Sequence, residues 1–530
     1  MSDERENTEA SGGDDWTRVS RRGWLKALAS IPVLGVFFYN FLRKRAADDA
    51  KRQAVMAELG VGESGPAIIP NAISKPPSRR IRVGIIGYGG EGEALVRHAG
   101  FASPDWIEEA RKNVAENPRD KQLETYLTQD DLNVAITAVC DVFDVRAERG
   151  IAASAIDVKP GGGGANPPAK RYRRYTDMLE SGEVDAVILG THDAWHARMT
   201  IDAAAAGIHV YCEKAMTRTE EEARAVYDAV TTSNIVFQLG HQNRQSEAHN
   251  KAREVIAANI LGPITLVEST TNRNTPWGAW VWDIHEKGNP QTIDWAHFEE
   301  TAAHKVPFSL ERFFRWRCWF DYGTGLAGDL LSHEYDGVNQ ILQVGIPASC
   351  VASGGIYYFK DGRDVPDTFQ AVYEYPDRDL TFVYSATLAN GHDRGLVFMG
   401  QDASMRVSGS LSVQADGEST RYEQKIKDGL IDPSQPMFTY RPGFKGIDAV
   451  TSATERYFAS RGLLYTYRGG RRVSAYHLLI AEWLDVIRNG GETSCNIERG
   501  FEEAMTCHMA TKSYLEGRKV SWDPVRRRIV

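Results

Sequence analysis

The residues with the most to offer chemically lie in two stretches far apart in the chain. Glu213-Lys214 closes the short β-rich run Ile208 to Cys212, and a charged pair at the carboxyl end of a strand rarely serves packing. Downstream, Asp321 to Asp336 is a glycine-punctuated approach to a helix. There Asp329 and His333 stand four apart and Asp336 three further on, so one helical face carries all three. A lysine, a carboxylate and an imidazole brought together suit proton transfer to and from a hydroxyl. The imidazole titrates near neutral pH, the ammonium stabilises developing alkoxide, and the carboxylate orients a partner. From the residues alone a plainer reading stays open, with Asp329 capping its helix and His333 a core histidine whose bonds are met.

Elements that could position such groups are visible around them. Ile81 to Ile86 is a short β-rich run that leads into Gly87-Tyr88-Gly89-Gly90-Glu91-Gly92 and then a helical pattern through Ala94-Leu95-Val96. Strand, glycine turn and helix in that order fit a dinucleotide site. Gly87 would permit the tight turn, Gly89 the approach of a pyrophosphate to backbone N–H groups, and Gly92 close packing of helix on sheet. The matching acid is Asp141, ending the run Val134 to Cys140; a carboxylate there binds ribose hydroxyls and repels a 2′-phosphate, favouring NAD over NADP. Asp141 lies 49 residues past Gly92, well beyond the usual spacing of about 20. Pro104 to Asp131, polar and helical in composition, reads as an inserted surface excursion. A third strand is expected over Val184 to Gly190, then a helix from about Ala197 to Ala206, a strand over Ile208 to Cys212 and another over Ile235 to Leu239.

Beyond Asn250 the alternation of strands and helices gives way to long β-rich runs: Ile264 to Thr271, Cys350 to Phe359, Phe369 to Tyr375, Leu380 to Ala386 and Leu396 to Met399. They predict a large, mostly antiparallel sheet. Helices are expected over Ser474 to Asn489 and near Phe501 to Tyr514. Around the catalytic candidates lie Arg312, Arg315, Trp316, Arg317, Trp319 and Tyr322, with Trp277, Trp280, Trp282 and Trp295 upstream. Indole faces stack on sugar C–H surfaces and arginine forks bind hydroxyls or carboxylates, so the set favours a carbohydrate or polyol. Six cysteines show neither a Cys-x-x-Cys pair nor zinc spacing, and buried thiols are expected. His285, His297 and His304 match no metal site, and no metal is expected.

From Ile81 to Val530 these pieces resemble the Gfo/Idh/MocA oxidoreductases, named for glucose-fructose oxidoreductase and inositol dehydrogenase. In that family a Glu-Lys-Pro motif ends a strand beside the nicotinamide; here it reads Glu213-Lys214-Ala215, with the proline replaced. Thr191-His192-Asp193-Ala194-Trp195-His196 matches a Thr-Pro-x-x-x-His stretch that relatives place at the cofactor, and Gln242 and Arg244 match the motif that ends the nucleotide domain. The resemblance implies an α/β protein: an N-terminal Rossmann dinucleotide-binding domain and a C-terminal α+β domain with a large open sheet that commonly supports homo-oligomer contacts. It sets Lys214, Asp329 and His333 together as the catalytic group, His333 as acid/base and Asp329 orienting it or the sugar hydroxyls, with the choice of Lys214 or His333 as proton acceptor left open. Gly87, Tyr88, Gly89, Gly90, Gly92, Asp141, Thr191, His192, Trp195, His196, Glu213, Lys214 and Gln242 become cofactor contacts. Arg244, Arg315, Trp316, Tyr322, Asp329 and His333 become substrate contacts. The expected enzyme is an NAD(P)-dependent oxidoreductase acting on CH–OH groups. The alternatives are an NAD-retaining glycosidase working by transient oxidation and elimination, and a non-catalytic sugar-binding protein.

The N-terminus adds an address. Ser20-Arg21-Arg22-Gly23-Trp24-Leu25-Lys26 followed by the uncharged run Ala27 to Leu42 resembles a twin-arginine signal, with the export machinery as a partner and a location outside the cytoplasm. Gly23 to Leu42 approaches the ~20 residues that cross a bilayer and could remain as an anchor. The expected divisions are residues 1–46 signal or anchor, 47–80 linker, 81–245 nucleotide domain and 246–530 substrate and oligomerisation domain. With 530 residues, a net charge of −9 and 42% hydrophobic residues, the chain has cores to bury and no basic excess for nucleic acid. A mean hydropathy of −0.39 excludes a polytopic membrane protein.

Overall fold

The computed structural model describes residues 32–59, 79–442, 465–468 and 471–530. It divides into two units, Met1–Glu58 and Leu59–Val530. The described part of the first lies in the helix Pro32–Leu59. That helix runs on through residues 47–59, which the sequence reading gave to a linker. The reason is local: Ala46 to Leu59 is rich in Ala, Lys, Arg, Glu, Gln and Met, all strong helix formers. The arginine pair, the start of the apolar run and residues 60–78 lie outside the described residues. Among those described, no helix is long and apolar enough to cross a membrane.

In the second unit, Ile81–Ile86 (β1), Val134–Cys140 (β2), Lys170–Tyr172 (β3), Ala186–Leu189 (β4), His209–Cys212 (β5) and Phe237–Leu239 (β6) pair in the order β3-β2-β1-β4-β5-β6. All pairs are parallel. The order reverses direction between β1 and β4, so the carboxyl ends of these strands flank the crevice where open α/β sheets bind nucleotides. The excursion between first helix and second strand is helical, Pro104–Glu116 capped by Ser103 and then Gln122–Leu127. Two expectations need correction. The strand expected third is fourth, because β3 is three residues emerging from a Gly/Pro run with no apolar alternation to reveal it. The following helix starts at Asp193, four residues early, since Asp193 and the apolar Ala194 and Trp195 already form its first turn.

The second half carries a ten-stranded sheet, β14-β13-β12-β11-β7-β10-β9-β8-β17-β18. Its central strands are Ile264–Asn272 (β7), Ser349–Gly355 (β8), Thr368–Tyr375 (β9), Leu380–Thr387 (β10) and Leu396–Gly400 (β11). Ala403–Val407 (β12), Leu411–Ala415 (β13), Phe438–Tyr440 (β14), Val520–Asp523 (β17) and Arg528–Ile529 (β18) extend its edges. Tyr465–Arg468 (β15) and Arg471–Ser474 (β16) form a separate hairpin. Every pair in the large sheet is antiparallel except β7 with β10. In β10, Leu380, Phe382, Tyr384 and Ala386 are buried and alternate with half-buried neighbours, the period of two that sets one face against the helices.

The C-terminal part of the chain returns to the nucleotide half. The helix Ala475–Asn489 places Leu479, Ile480, Trp483 and Leu484 in one apolar cluster with Ile81, Val83, Ile85 and Leu95 of the nucleotide half. Trp483 meets Tyr211 of β5 edge-on at 5.8 Å.

Candidate active site

The glycine turn is shaped by close backbone approach. Gly87 has φ +86°, and a methyl group on Gly92 would lie 2.0 Å from the Gly87 carbonyl oxygen, so helix Gly90–His98 can start this near the turn only with glycine there. Space beside Gly89 and Gly90 is open: a Cβ on Gly90 would meet nothing within 4 Å, and one on Gly89 only the Arg146 guanidinium at 3.9 Å. The free N–H groups of a helix N-terminus border that space, a natural seat for a pyrophosphate. Asp141 stands beside it, its Oδ2 accepting from Tyr88 N at 2.6 Å and its Oδ1 from Phe143 N at 2.8 Å. Burial pushes its pKa up, against the pull of Arg146 and these two N–H groups. Tyr88 contributes its backbone; its ring is buried against Gly150.

Several motif residues build the crevice wall rather than face it. Trp195 is buried edge-on against Tyr175 at 5.7 Å and His297 at 5.1 Å. His192 packs against Phe298, Trp316 and Tyr322, and burial lowers its pKa to about 3. His196 bridges two turns, Nδ1 to the Ala215 carbonyl at 2.7 Å and Nε2 to the Thr191 carbonyl at 3.2 Å. Gln242 donates to the Tyr476 hydroxyl at 2.9 Å. The Lys214–Ala215 peptide is cis.

Lys214 Nζ donates to the Asp329 carbonyl at 3.0 Å and to its Oδ1 at 2.7 Å. The two residues are 115 apart in the chain and meet because the segment before His333 is pressed onto the Lys214 turn. Thr324 donates to Asp193 Oδ2 through N (3.0 Å) and Oγ1 (2.7 Å), and Gly328 would place a methyl 3.1 Å from the Ala215 Cβ. Asp329 lies in a turn of π-helix, Ala327–Leu331, that runs into the helix Ser332–Leu342. Its Oδ1 also accepts from Arg317 Nε at 2.9 Å, and its Oδ2 from Trp280 Nε1 at 2.9 Å. Burial works against the charge, but Lys214, Arg317 and Arg273 together hold this carboxyl far below the usual carboxylate range.

Asp329 therefore makes no hydrogen bond to His333, its oxygens accepting instead from Lys214, Arg317 and Trp280, and of the two expected roles that of orienting sugar hydroxyls stays open. His333 keeps its Nδ1 buried without a partner, and its ring stands edge-on to His241 at 5.4 Å. Burial, then Lys214 and His241, drive its pKa well below the ordinary histidine value, so the ring is neutral. Asp336 does not share the site, because it binds Arg244 Nε at 2.8 Å. Arg244 in turn donates to the Ser494 carbonyl at 2.6 Å, which commits it to joining segments rather than to a ligand.

Of the other expected substrate contacts, Tyr322 is fully buried with its hydroxyl on Glu299 Oε1 at 2.5 Å, and Arg315 donates to the Trp282 carbonyl at 2.8 Å. Trp316 lies under the Arg317 guanidinium at 4.2 Å, with Trp282 at 5.0 Å. The structure singles out residues that spacing could not. Arg317 and Trp280 hold Asp329; Glu91 and Glu213 bring buried carboxyls, their pKa raised chiefly by burial, to the Lys214 side. Arg317 and Trp280 belong to the Trp/Arg-rich runs, but no periodicity separates them from their neighbours. Among the described residues no group of three or more His, Cys, Asp or Glu is placed to hold a metal ion, and all six cysteines are free and buried.

The model of an oxidoreductase family's NAD-binding Rossmann fold matches residues 81–241, and that of the same family's C-terminal α/β domain matches residues 253–522. The chain belongs to the Gfo/Idh/MocA oxidoreductase family. Levoglucosan dehydrogenase of Pseudarthrobacter phenanthrenivorans is 27% identical over 191 residues, 34% of this chain and 41% of that protein. The rhizopine catabolism protein MocA of Rhizobium meliloti is 36% identical over 98 residues, 18% and 31%. Inositol 2-dehydrogenase of Salmonella agona is 25% identical over 175 residues, 33% and 45%. The chain thus spans less than half the length of these curated relatives. In fold it is similar to levoglucosan dehydrogenase in complex with NADH, with TM-score 0.54 at 16% identity over 84% of this chain and 99% of the other. It is likewise similar to the WlbA dehydrogenase of Bordetella pertussis with NADH and UDP-GlcNAcA, with TM-score 0.51 at 15% identity over 84% and 99%. The Gfo/Idh/MocA nucleotide fold is an NAD-binding one, and the left-handed Gly87, the open space at Gly89 and Gly90, and Asp141 fit that cofactor.

Proposed function

We propose that this protein is an NAD-dependent dehydrogenase of a secondary hydroxyl on a sugar, polyol or glycoside. The observation that carries the reading is the Lys214–Asp329 pair, formed between the two halves of the fold beside a neutral His333 at the carboxyl ends of the nucleotide-sheet strands. Gly87, Gly89, Gly90, Gly92 and Asp141 would hold NAD, which supplies the hydride acceptor at the substrate carbon. Lys214 spends two N–H groups on Asp329 and has a third for the substrate oxygen, where its charge stabilises developing alkoxide. His333, without a bond at Nε2, takes the hydroxyl proton. Arg317 and Trp280 fix the carboxylate that fixes Lys214. The relatives named for levoglucosan and inositol support a polyhydroxylated substrate.

The test is to purify the full chain, assay copurified NAD(H), and incubate it with levoglucosan, myo-inositol, hexoses and aryl glycosides. Stoichiometric NADH with an oxidised sugar supports the proposal. Aglycone release without net oxidation transfers the same site to redox-assisted glycoside cleavage, and absence of nicotinamide binding refutes both. We further propose, from Ser20 to Lys26 and the apolar run after it, that the twin-arginine machinery delivers the enzyme outside the cytoplasmic membrane, where Gly23 to Leu42 could keep it anchored, and that it is a homo-oligomer. Substitution R21K/R22K should hold it in the cytoplasmic fraction, and light scattering reads its assembly.

A further inference from the structure

Behind His333, away from the cleft, lies a set of buried groups that the mechanism above does not use. His241 follows β6 and presents its ring edge to His333 at 90°. Both His241 nitrogens are buried without a hydrogen-bond partner, as is His333 Nδ1. On the far side, Glu503 of the helix Ile497–Glu516 places Oε2 4.0 Å from His241 Nε2, and both side chains are essentially fully buried, at 1% and 0% exposure. Glu503 Oε2 also lacks a partner, while Oε1 accepts from Cys507 Sγ at 3.3 Å. Four buried polar atoms left unpaired beside one another are costly, at roughly 1–3 kcal/mol each, unless they serve one another. A shift of about 1 Å, or one bridging water, brings Glu503 Oε2 and His241 Nε2 to hydrogen-bond distance, and the two imidazoles are already in ring contact.

We propose that Glu503 and His241 are positioning residues that hold His333 in one tautomer. Glu503 accepts Nε2–H of His241, whose Nδ1 lone pair accepts Nδ1–H of His333. This leaves the Nε2 lone pair of His333 facing the cleft, the form needed to take a hydroxyl proton. On that transfer the substrate O–H breaks and His333 Nε2–H forms; the new imidazolium faces the Glu503 carboxylate through His241, and no other bond changes. The remaining charged groups bearing on His333 are Lys214, Asp329 and Arg273, with Asp329 already occupied by Lys214 and Arg317. Around Glu503 the neighbours are the buried thiols Cys212, Cys495 and Cys507, whose burial keeps them uncharged. A carboxylate ordering an imidazole through its second nitrogen is a general device for fixing tautomers; here a second imidazole stands between.

The inference rests on the dehydrogenase reading with His333 as base, and its test separates the two. In the full chain loaded with NAD+ and labelled with 15N-histidine, the His333 signal, assigned by its loss in H333Q, should report Nδ1–H. H241Q and E503Q should each convert it to a mixture. On whichever sugar of the panel is turned over, E503Q should lower kcat 10- to 100-fold while KM and the NAD+ Kd stay within twofold. The acid limb of kcat/KM should move to lower pH, because His333 loses the carboxylate that favours its protonated form. E503D should recover most of the rate. If E503Q does not fold, as judged by NAD+ binding, H241Q decides by the same readouts. If the panel yields no turnover, the tautomer alone decides. An Nε2–H tautomer in the wild type, unchanged kcat and pH limb in both variants, or a loss confined to KM and NAD+ affinity would overturn the proposal.

Discussion

Replacing Asp329 with asparagine tests the centre of the site without changing its size. The carboxylate takes Lys214 Nζ at 2.7 Å, Arg317 Nε at 2.9 Å and Trp280 Nε1 at 2.9 Å. Asparagine can keep Lys214 and Arg317 on its carbonyl oxygen, but its NH2 group then meets Trp280 Nε1–H, and two largely buried positive charges lose the carboxylate they share. Removing one member of a buried ion pair costs about 3–5 kcal/mol. At about 2.1 cal/mol/K of unfolding entropy per residue, a chain of 530 residues loses roughly 1 °C of Tm per kcal/mol. D329N should therefore melt ~3–5 °C lower by calorimetry at pH 7. K214M alone also removes a charge, but leaves Arg317 on the carboxylate and should cost less. In K214M/D329N only Arg317 stays uncompensated, so the double variant should melt higher than the sum of the single losses predicts, with a coupling of ~2 kcal/mol. Turnover by D329N should fall at least ~100-fold, because Lys214 keeps the backbone carbonyl of residue 329 but loses the carboxylate that aims it. A D329N melting point within 1 °C of wild type, or strictly additive single and double losses, would refute the claim that this carboxylate neutralises and aims Lys214.

Gly92→Ala places a methyl 2.0 Å from the Gly87 carbonyl; overpacking of this kind costs about 1–3 kcal/mol, and isothermal titration should show NAD+ affinity reduced about tenfold or more. Asp141→Ala removes the acceptor of the Tyr88 and Phe143 N–H groups and the repulsion toward a 2′-phosphate, so fluorescence titration should show the preference for NAD+ over NADP+ falling by about tenfold or more. Acid should destabilise the fold from about pH 6.5 downward. His192 and His508 have folded pKa values lowered to about 3 and about 4. Between those values and the unfolded 6.5 the unfolded chain binds more protons, so stability falls with pH. At pH 5.5 each histidine has withdrawn about 1.4 kcal/mol, and the fall in melting temperature between pH 7 and 5.5 should shrink in H192N and in H508N.

The nucleotide strands were legible because β1, β2 and β4 are mostly apolar runs, interrupted by Arg82 and Thr137 and followed by glycine or a polar residue, the signature of strands buried on both faces. β3 escaped, being three residues whose pairing is imposed by β2. Lys214, Asp329 and His333 could be gathered from a resemblance of motifs, but spacing on a helix misjudged what they do. A regular helix sets Asp329 above His333, whereas the π-turn at Ala327–Leu331 and the contact with the Lys214 turn direct Asp329 elsewhere. Arg244 matched a motif whose local sequence says nothing of Asp336, 92 residues away. The same holds for Arg317, Trp280, His241 and Glu503: each acquires its role from a partner on another element.

The return of helix Ala475–Asn489 to the nucleotide core has a consequence in time. β1 leaves the ribosome roughly 400 residues before Trp483 and Leu484, which cover its cluster. At about 5–20 residues per second, the opening strands wait roughly 20–80 s for the helix that closes over them. Closure of the nucleotide fold thus waits on chain made long after its first strand, and a chain cut before Ala475 leaves the apolar side of Ile81, Val83 and Ile85 short of its cover.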